Sequence, residues 1–123
     1  MSAKTILIVD DAPENISILA EILSGYDIKV ATNGAKALQI AEKFPNLDLI
    51  LLDIIMPNMS GFEVAEKLKA NPLTARIPII FVTGQSDSAS FIRGFEVGAE
   101  EYIIKPFDAD EIINLVTQKL TGK

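Results

Sequence analysis

Leu49-Ile50-Leu51-Leu52-Asp53-Ile54-Ile55-Met56-Pro57 is the longest apolar stretch of the chain, and a single carboxylate interrupts it. Four apolar residues in a row, with no polar alternation, describe a strand buried on both faces. A sheet covered on both faces is a sheet between two layers of helices. The stretch is far short of the roughly 20 residues that cross a bilayer, so no membrane segment is expected. Asp53 ends the strand against that apolar background and must be partly desolvated, which is costly unless it is paired or metal-bound.

Four further apolar, β-branched runs flank this one: Thr5 to Val9, Ile28 to Ala31, Ile77 to Val82 and Tyr102 to Ile104. Helical spacing fills the gaps, with Ile16, Leu19, Ala20 and Leu23 on one stripe and Ala37, Ile40, Ala41 and Phe44 on another. Pro13 suits a first helical position, Gly25 and Gly98 suit helix ends, and Asn71-Pro72 stops the third helix. Ser60 with Glu63 has capping-box spacing, and Asp108 with Glu111 is its Asp analogue. Strand and helix therefore alternate five times, which predicts an α/β fold with a parallel, doubly wound sheet. There is no internal repeat and no linker, and only Thr121 to Lys123 are expected to follow the last helix. Residues 1–123 are read as one domain.

Composition narrows the function. The chain has 123 residues, 49% of them hydrophobic, and a net charge of −6. That is an ordinary globular composition, large enough for a core without disulfides. The basic footprint of phosphate-backbone binding is missing, so no direct nucleic-acid contact is expected. With no cysteine there are no disulfides, thiolate zinc sites or cysteine nucleophiles, and the cytoplasm is the expected compartment. The N-terminus enters an apolar strand at Thr5 with only Lys4 before it, unlike a signal peptide. Without histidine the chain cannot carry a phosphohistidine; any such group belongs to a partner.

In doubly wound sheets ligands bind outside the carboxyl ends of the strands. Those ends carry Asp10-Asp11 after the first strand, Asp53 after the third, Thr83-Gly84 after the fourth and Lys105-Pro106 after the fifth. Taken singly, Thr83 reads as a β-branched strand residue and Lys105 as a solvated loop cation; together they mark one crevice. Three carboxylates repel, and Lys105 offsets one charge. A divalent cation would relieve the rest, and an all-oxygen donor set selects a hard one, Mg²⁺ with Mn²⁺ as the alternative. Asp10-Asp11-Ala12-Pro13 lacks the Gly- or Ser/Thr-rich loop that nucleotide and flavin phosphates require.

Ile8-Val9-Asp10-Asp11, then Leu51-Leu52-Asp53-Ile54-Ile55-Met56-Pro57 with Ser60-Gly61, Val82-Thr83-Gly84, and Lys105-Pro106-Phe107 together resemble the receiver domains of two-component response regulators, in particular single-domain chemotaxis-type receivers. The resemblance covers essentially the whole chain. It implies a flavodoxin-like (βα)5 fold with strand order 2-1-3-4-5. It makes Asp53 the phosphoacceptor, with Asp11, Asp53 and the backbone carbonyl of Ile55 on Mg²⁺ and Asp10 acting largely through water. Thr83 and Lys105 would each contact a phosphoryl oxygen, and the Lys105–Pro106 bond would be cis. The donor would be a histidine kinase or a histidine phosphotransfer protein. A downstream protein would bind the face of the fourth helix, fifth strand and fifth helix. The chain would catalyse only its own phosphorylation and dephosphorylation.

Tyr102 stays open between a half-buried strand aromatic and a switch that follows Thr83. Ile55 and Gln85, two positions after Asp53 and Thr83, are expected to stand over the phosphoryl group and set its lifetime. Two rivals are weaker. A phosphatase forming an aspartyl-phosphate commonly carries Asp-x-Asp after its first strand, where this chain has Asp10-Asp11. A flavodoxin-type flavin or nucleotide binder lacks its phosphate loop here.

Overall fold

The computed structural model describes residues 3–121. Five strands, β1 (Thr5–Val9), β2 (Asp27–Ala31), β3 (Leu49–Leu52), β4 (Ile79–Thr83) and β5 (Glu101–Ile104), alternate with α1 (Pro13–Ile22), α2 (Gly34–Lys43), α3 (Gly61–Ala70), α4 (Ser88–Glu96) and α5 (Ala109–Thr121). The strands form one sheet in the order β2-β1-β3-β4-β5, and all four pairings are parallel. This is the flavodoxin-like arrangement expected.

The period of two along each central strand divides the core into two layers. Leu7, Val9, Ile50, Leu52, Ile79 and Phe81 face α2 and α3, and meet Ala37, Ala41, Val64, Ala65 and Leu68. Ile6, Ile8, Leu49, Leu51, Ile80 and Val82 face α1 and α5, and meet Ile16, Leu19, Ile112 and Val116. Every residue of β3 and β4 is buried, which is why these strands show no alternation in sequence. β2 and β5 are the edges and keep exposed positions.

Most of the expected punctuation is found. Pro13 opens α1, Asn71 caps the end of α3, and both bonds of the Ser60–Glu63 capping box are formed. Gly98 follows α4 with φ 106°, a left-handed value that suits glycine.

Several details differ: β2 and β5 each start one residue early, at Asp27 and Glu101. β4 begins at Ile79 rather than Ile77, because Pro78 has no N–H to offer the sheet; Ile77 is buried, but its backbone bonds go outside the sheet, its N–H to the Thr74 carbonyl at 3.0 Å and its carbonyl from Lys69 Nζ at 3.0 Å. The same strand runs one residue longer and includes Thr83. Gly25 is not a left-handed helix stop: α1 ends at the Leu23 cap, and Gly25 sits beyond it in a turn closed by Tyr26 N–H on the Leu23 carbonyl at 3.1 Å. Asp108 does start α5, but its carboxylate accepts from Asp110 N–H at 3.2 Å, one residue short of the box spacing. α5 also continues through Thr121, and residues 122 and 123 lie outside the described residues.

One glycine ties a helix directly to the sheet. Gly61 N–H donates to the Ile54 carbonyl at 2.7 Å, and a Cβ at position 61 would collide with the Asp53 carbonyl oxygen. The start of α3 therefore rests backbone to backbone on the segment that follows β3. Gly61→Ala must push this segment aside, and should destabilise the protein by about 1–3 kcal/mol or more. Urea unfolding measures it; a midpoint equal to wild type would contradict the contact.

Candidate functional site

Parallel strands put their C-terminal ends on one edge of the sheet, and the order β1-β3-β4-β5 puts four of those ends side by side. The sheet bonding continues past the strands: Asp10 N–H donates to the Ala31 carbonyl at 3.1 Å, and Asp53 N–H to the Val9 carbonyl at 3.0 Å. Asp10 and Asp53 are thereby held in place as backbone, with 2% and 6% of their surfaces exposed. Asp11, one residue on, is exposed to solvent. One carboxylate oxygen from each of the three lies within 4.8 Å of the others.

Lys105 comes from the far side of this edge. Its backbone N–H donates to the Thr83 carbonyl at 2.8 Å, and the following bond to Pro106 is cis, as the resemblance implied. Its Nζ donates to Asp10 Oδ2 at 2.8 Å and to Asp53 Oδ2 at 3.2 Å. Burial alone would lower the Lys105 pKa; the hydrogen bond to Asp10 and the charges of Asp53 and Asp10 outweigh it and hold the ammonium above the ordinary lysine value. The remaining oxygens have their own donors, Ala12 N–H to Asp10 Oδ1 at 2.9 Å and Ile54 N–H to Asp53 Oδ1 at 2.7 Å.

Three carboxylates and one ammonium leave two negative charges in excess. The donors are all oxygen, and Asp11 gives the cluster a side open to water. That chemistry fits a hard, partly hydrated divalent cation and no softer one. Ile55, expected to offer its carbonyl here, has 58% of its surface exposed, so it does not pack beneath a helix.

Thr83 and Tyr102 stand apart from this cluster but are joined to each other. Phe81 and Tyr102 are register partners, so Thr83, two residues after Phe81, lies on the same face of the sheet as Tyr102. Gln85 bridges the two. Its N–H donates to Thr83 Oγ1 at 3.3 Å, and its carbonyl accepts from the Tyr102 hydroxyl at 2.7 Å. The Tyr102 ring packs on Phe91 of α4, with centroids 5.3 Å apart, and lies close over Gly94. Its burial, then the charges of Asp87 and Asp53, raise the phenol pKa.

Sequence reasoning missed two contacts. Asn15 Nδ2 donates to Asp10 Oδ2 at 3.3 Å, and the Gln85 main chain bridges Thr83 to Tyr102. An asparagine in a first helical turn after an acidic pair could have drawn attention to the first. A backbone bridge leaves no trace in residue identities.

Comparison with known proteins agrees with this geometry. The family profile of the response regulator receiver domain matches residues 6–117. A "probable cyclic di-GMP phosphodiesterase" of Vibrio cholerae serotype O1 is 50% identical over 124 residues, covering 100% of this chain and 28% of that protein. The phosphate regulon transcriptional regulatory protein PhoB of Pseudomonas aeruginosa is 45% identical over 117 residues, covering 92% of this chain and 50% of its own. The chain thus spans about a quarter to a half of these relatives. Among solved structures, the chemotaxis response regulator CheY4 of Vibrio cholerae superposes with a TM-score of 0.89 at 27% identity, over 97% of this chain and 100% of that one. A CheY-like receiver domain protein from Methanospirillum hungatei superposes with a TM-score of 0.87 at 30% identity, over 97% and 94%.

The excess charge can be tested without any phosphoryl chemistry. In EDTA, Asp11→Asn should raise the melting temperature by about 1–4 °C, because it removes repulsion and breaks no ion pair. Asp53→Asn should gain less or lose, because it also takes a partner from Lys105. Mg²⁺ should raise the wild-type melting temperature by binding the folded state and raise that of Asp11→Asn less. Equal shifts with Mg²⁺ in both proteins would exclude Asp11 from the cation site.

Proposed function

The chain belongs to the response regulator receiver domain family of two-component signalling, and on that premise we propose that Asp53 accepts a phosphoryl group from a phosphohistidine on a partner, a histidine kinase or a histidine phosphotransfer protein. The observation that carries the assignment is the shared ammonium: Lys105 Nζ bonds both Asp10 and Asp53, and of those two Asp53 follows the central strand and is the less deeply buried. A carboxylate oxygen of Asp53 forms the new P–O bond as the N–P bond of the donor breaks, and the donor imidazole leaves with that electron pair. Lys105 then places its N–H groups on a phosphoryl oxygen, and the Thr83 hydroxyl on another, where negative charge builds up. Asp11, Asp53 and the Ile55 carbonyl, with Asp10 through water, would hold Mg²⁺ or Mn²⁺, which supplies further charge neutralisation when bound.

The same reading makes the chain a module that signals by binding, with no substrate of its own beyond its phosphorylation and dephosphorylation. Residues 1–123 act as one receiver unit, and the cytoplasm is the compartment in keeping with a chain that has no cysteine. A hydroxyl of Thr83 turned toward the phosphoryl group no longer accepts from Gln85 N–H, which frees the bridge that holds Tyr102. The downstream partner binds the face of α4, β5 and α5, where Phe91, Ile92, Phe95, Ile104 and Ile113 are exposed. An apolar group of that size on a surface is the usual mark of an interaction site.

Incubation with acetyl phosphate and Mg²⁺, followed by intact-mass measurement, tests the acceptor. One phosphoryl group should be gained by wild type and none by Asp53→Asn, and EDTA should abolish the gain. Equal modification of Asp53→Asn would remove the assignment.

The lifetime of the phosphorylated form rests on what stands over the phosphorus. Hydrolysis needs a water in line with the P–O bond, and the exposed apolar side chain of Ile55 has nothing with which to orient one. The Gln85 carbonyl is already taken by Tyr102, which leaves only the half-buried side-chain amide to help. Slow self-dephosphorylation is expected, and Ile55→Asn or Ile55→Glu should speed phosphate release several-fold by orienting that water. Because Ile55 is exposed, folding should be unaffected, and release at the wild-type rate in both variants would refute this role.

A further inference from the structure

Asp10 is the most enclosed charge of the site, and a carboxylate so placed is tolerated only while its oxygens are hydrogen-bonded. Oδ1 has the Ala12 N–H. Oδ2 has two side-chain donors, Lys105 Nζ at 2.8 Å and Asn15 Nδ2 at 3.3 Å. The stronger of the two is not Asp10's alone, because the same ammonium reaches Asp53 Oδ2 at 3.2 Å. An ammonium has three N–H groups and no more. In the acceptor reading, on which this inference rests, Lys105 must turn toward a phosphoryl oxygen that lies beyond Asp53. Moving that way draws Nζ from Asp10, and the buried Oδ2 is left to Asn15.

We infer that Asn15 is a positioning residue for phosphoryl transfer, whose amide keeps Asp10 paired while Lys105 shifts its hydrogen bonds from Asp10 to the phosphoryl group. No proton moves in this exchange: Lys105 stays an ammonium, Asp10 a carboxylate and Asn15 a neutral donor. The orientation of the amide follows from chemistry, since a carboxylate only accepts and the amide oxygen facing it would repel. The position also suits the task. Asn15 lies in the first turn of α1, whose start is held by Pro13, and it is half-buried beside the acidic pair. A neutral amide adds a donor without a second cation, which would compete with a metal ion for Asp10 and Asp11.

A double-mutant cycle tests the contact in the unphosphorylated protein. Wild type, Asn15→Leu, Lys105→Met and the double variant are unfolded with urea in EDTA. Leucine matches the amide in size and is a better helix former, so with Lys105 present Asn15→Leu should leave the midpoint close to wild type. In the Lys105→Met background the same change removes the last side-chain donor to Asp10 and should lower the midpoint, so the two effects do not add. The second arm follows the rate of mass gain with acetyl phosphate and Mg²⁺. Asn15→Leu should load roughly 3- to 10-fold more slowly than wild type, as expected for losing a hydrogen bond to a charged group, and Asn15→Gln, which keeps the amide, should recover part of the rate. An additive cycle, or loading of Asn15→Leu at the wild-type rate, would overturn the inference. Failure of the wild type to load at all would instead overturn the acceptor reading, and the cycle would still decide whether Asn15 supports Asp10.

Discussion

One ammonium between two enclosed carboxylates is the constraint around which this protein is organised. Adjacent strands of a sheet run about 4.8 Å apart, so any pair of aspartates placed just past neighbouring strands must sit at about that separation. Asp10 and Asp53 occupy such positions after β1 and β3, and both are almost wholly buried. Two charges that close, and that dry, are tenable only with a cation between them. Lys105 provides it from the end of β5, two strands from β3. The parallel sheet therefore matters to the chemistry: it brings the ends of β1, β3 and β5 to one edge, where a single lysine reaches both aspartates.

The surroundings hold this arrangement rigid on one side and leave it adjustable on the other. Toward α3 the backbone of Gly61 rests on the Asp53 carbonyl, and the Ser60–Glu63 box fixes the helix start. Toward α4 the links are few: the Tyr102 ring on Phe91 and Gly94, and a polar bridge just before the helix. Thr83, the Gln85 peptide and Tyr102 form a chain of two hydrogen bonds, and α4 has Gly94 as its one buried residue among those described. An element held by so little buried surface is drawn from the low-stability end of a structure. It also carries Phe91, Ile92 and Phe95 on its exposed side. The carboxylate crevice and the apolar face are thus joined through the least firmly packed helix.

Much of this was legible from residue order because it depends on short-range rules. Unbroken apolar runs such as Leu49–Leu52 announce burial on both faces, and the helix marks at Pro13, Ser60 and Gly98 act within a few residues of themselves. The failures share a cause. Ile77 is apolar and buried, but Pro78 removes the donor that would have extended β4, so burial and strand pairing part company there. Asp108 has the spacing of a capping box, yet the carboxylate finds the nearer Asp110 N–H. Gly25 marks a turn whose closure falls to the Leu23 carbonyl. In each case two local solutions were compatible with the residues, and packing selected one.

By itself the sequence determined the layered α/β architecture and the identities of the residues at the strand ends, since periodicity and residue type are local properties that survive without coordinates. Only the tertiary structure decided which of those residues meet. Lys105 lies 95 residues from Asp10 and 52 from Asp53 along the chain, and their contacts exist because the parallel sheet stacks strand ends that are remote in sequence. The same is true of the bridge through Gln85, which uses main-chain atoms that every residue possesses to hold a tyrosine 17 residues away. Hydrogen bonds and ion pairs are set by distance in space, and chain order constrains that distance only through the fold.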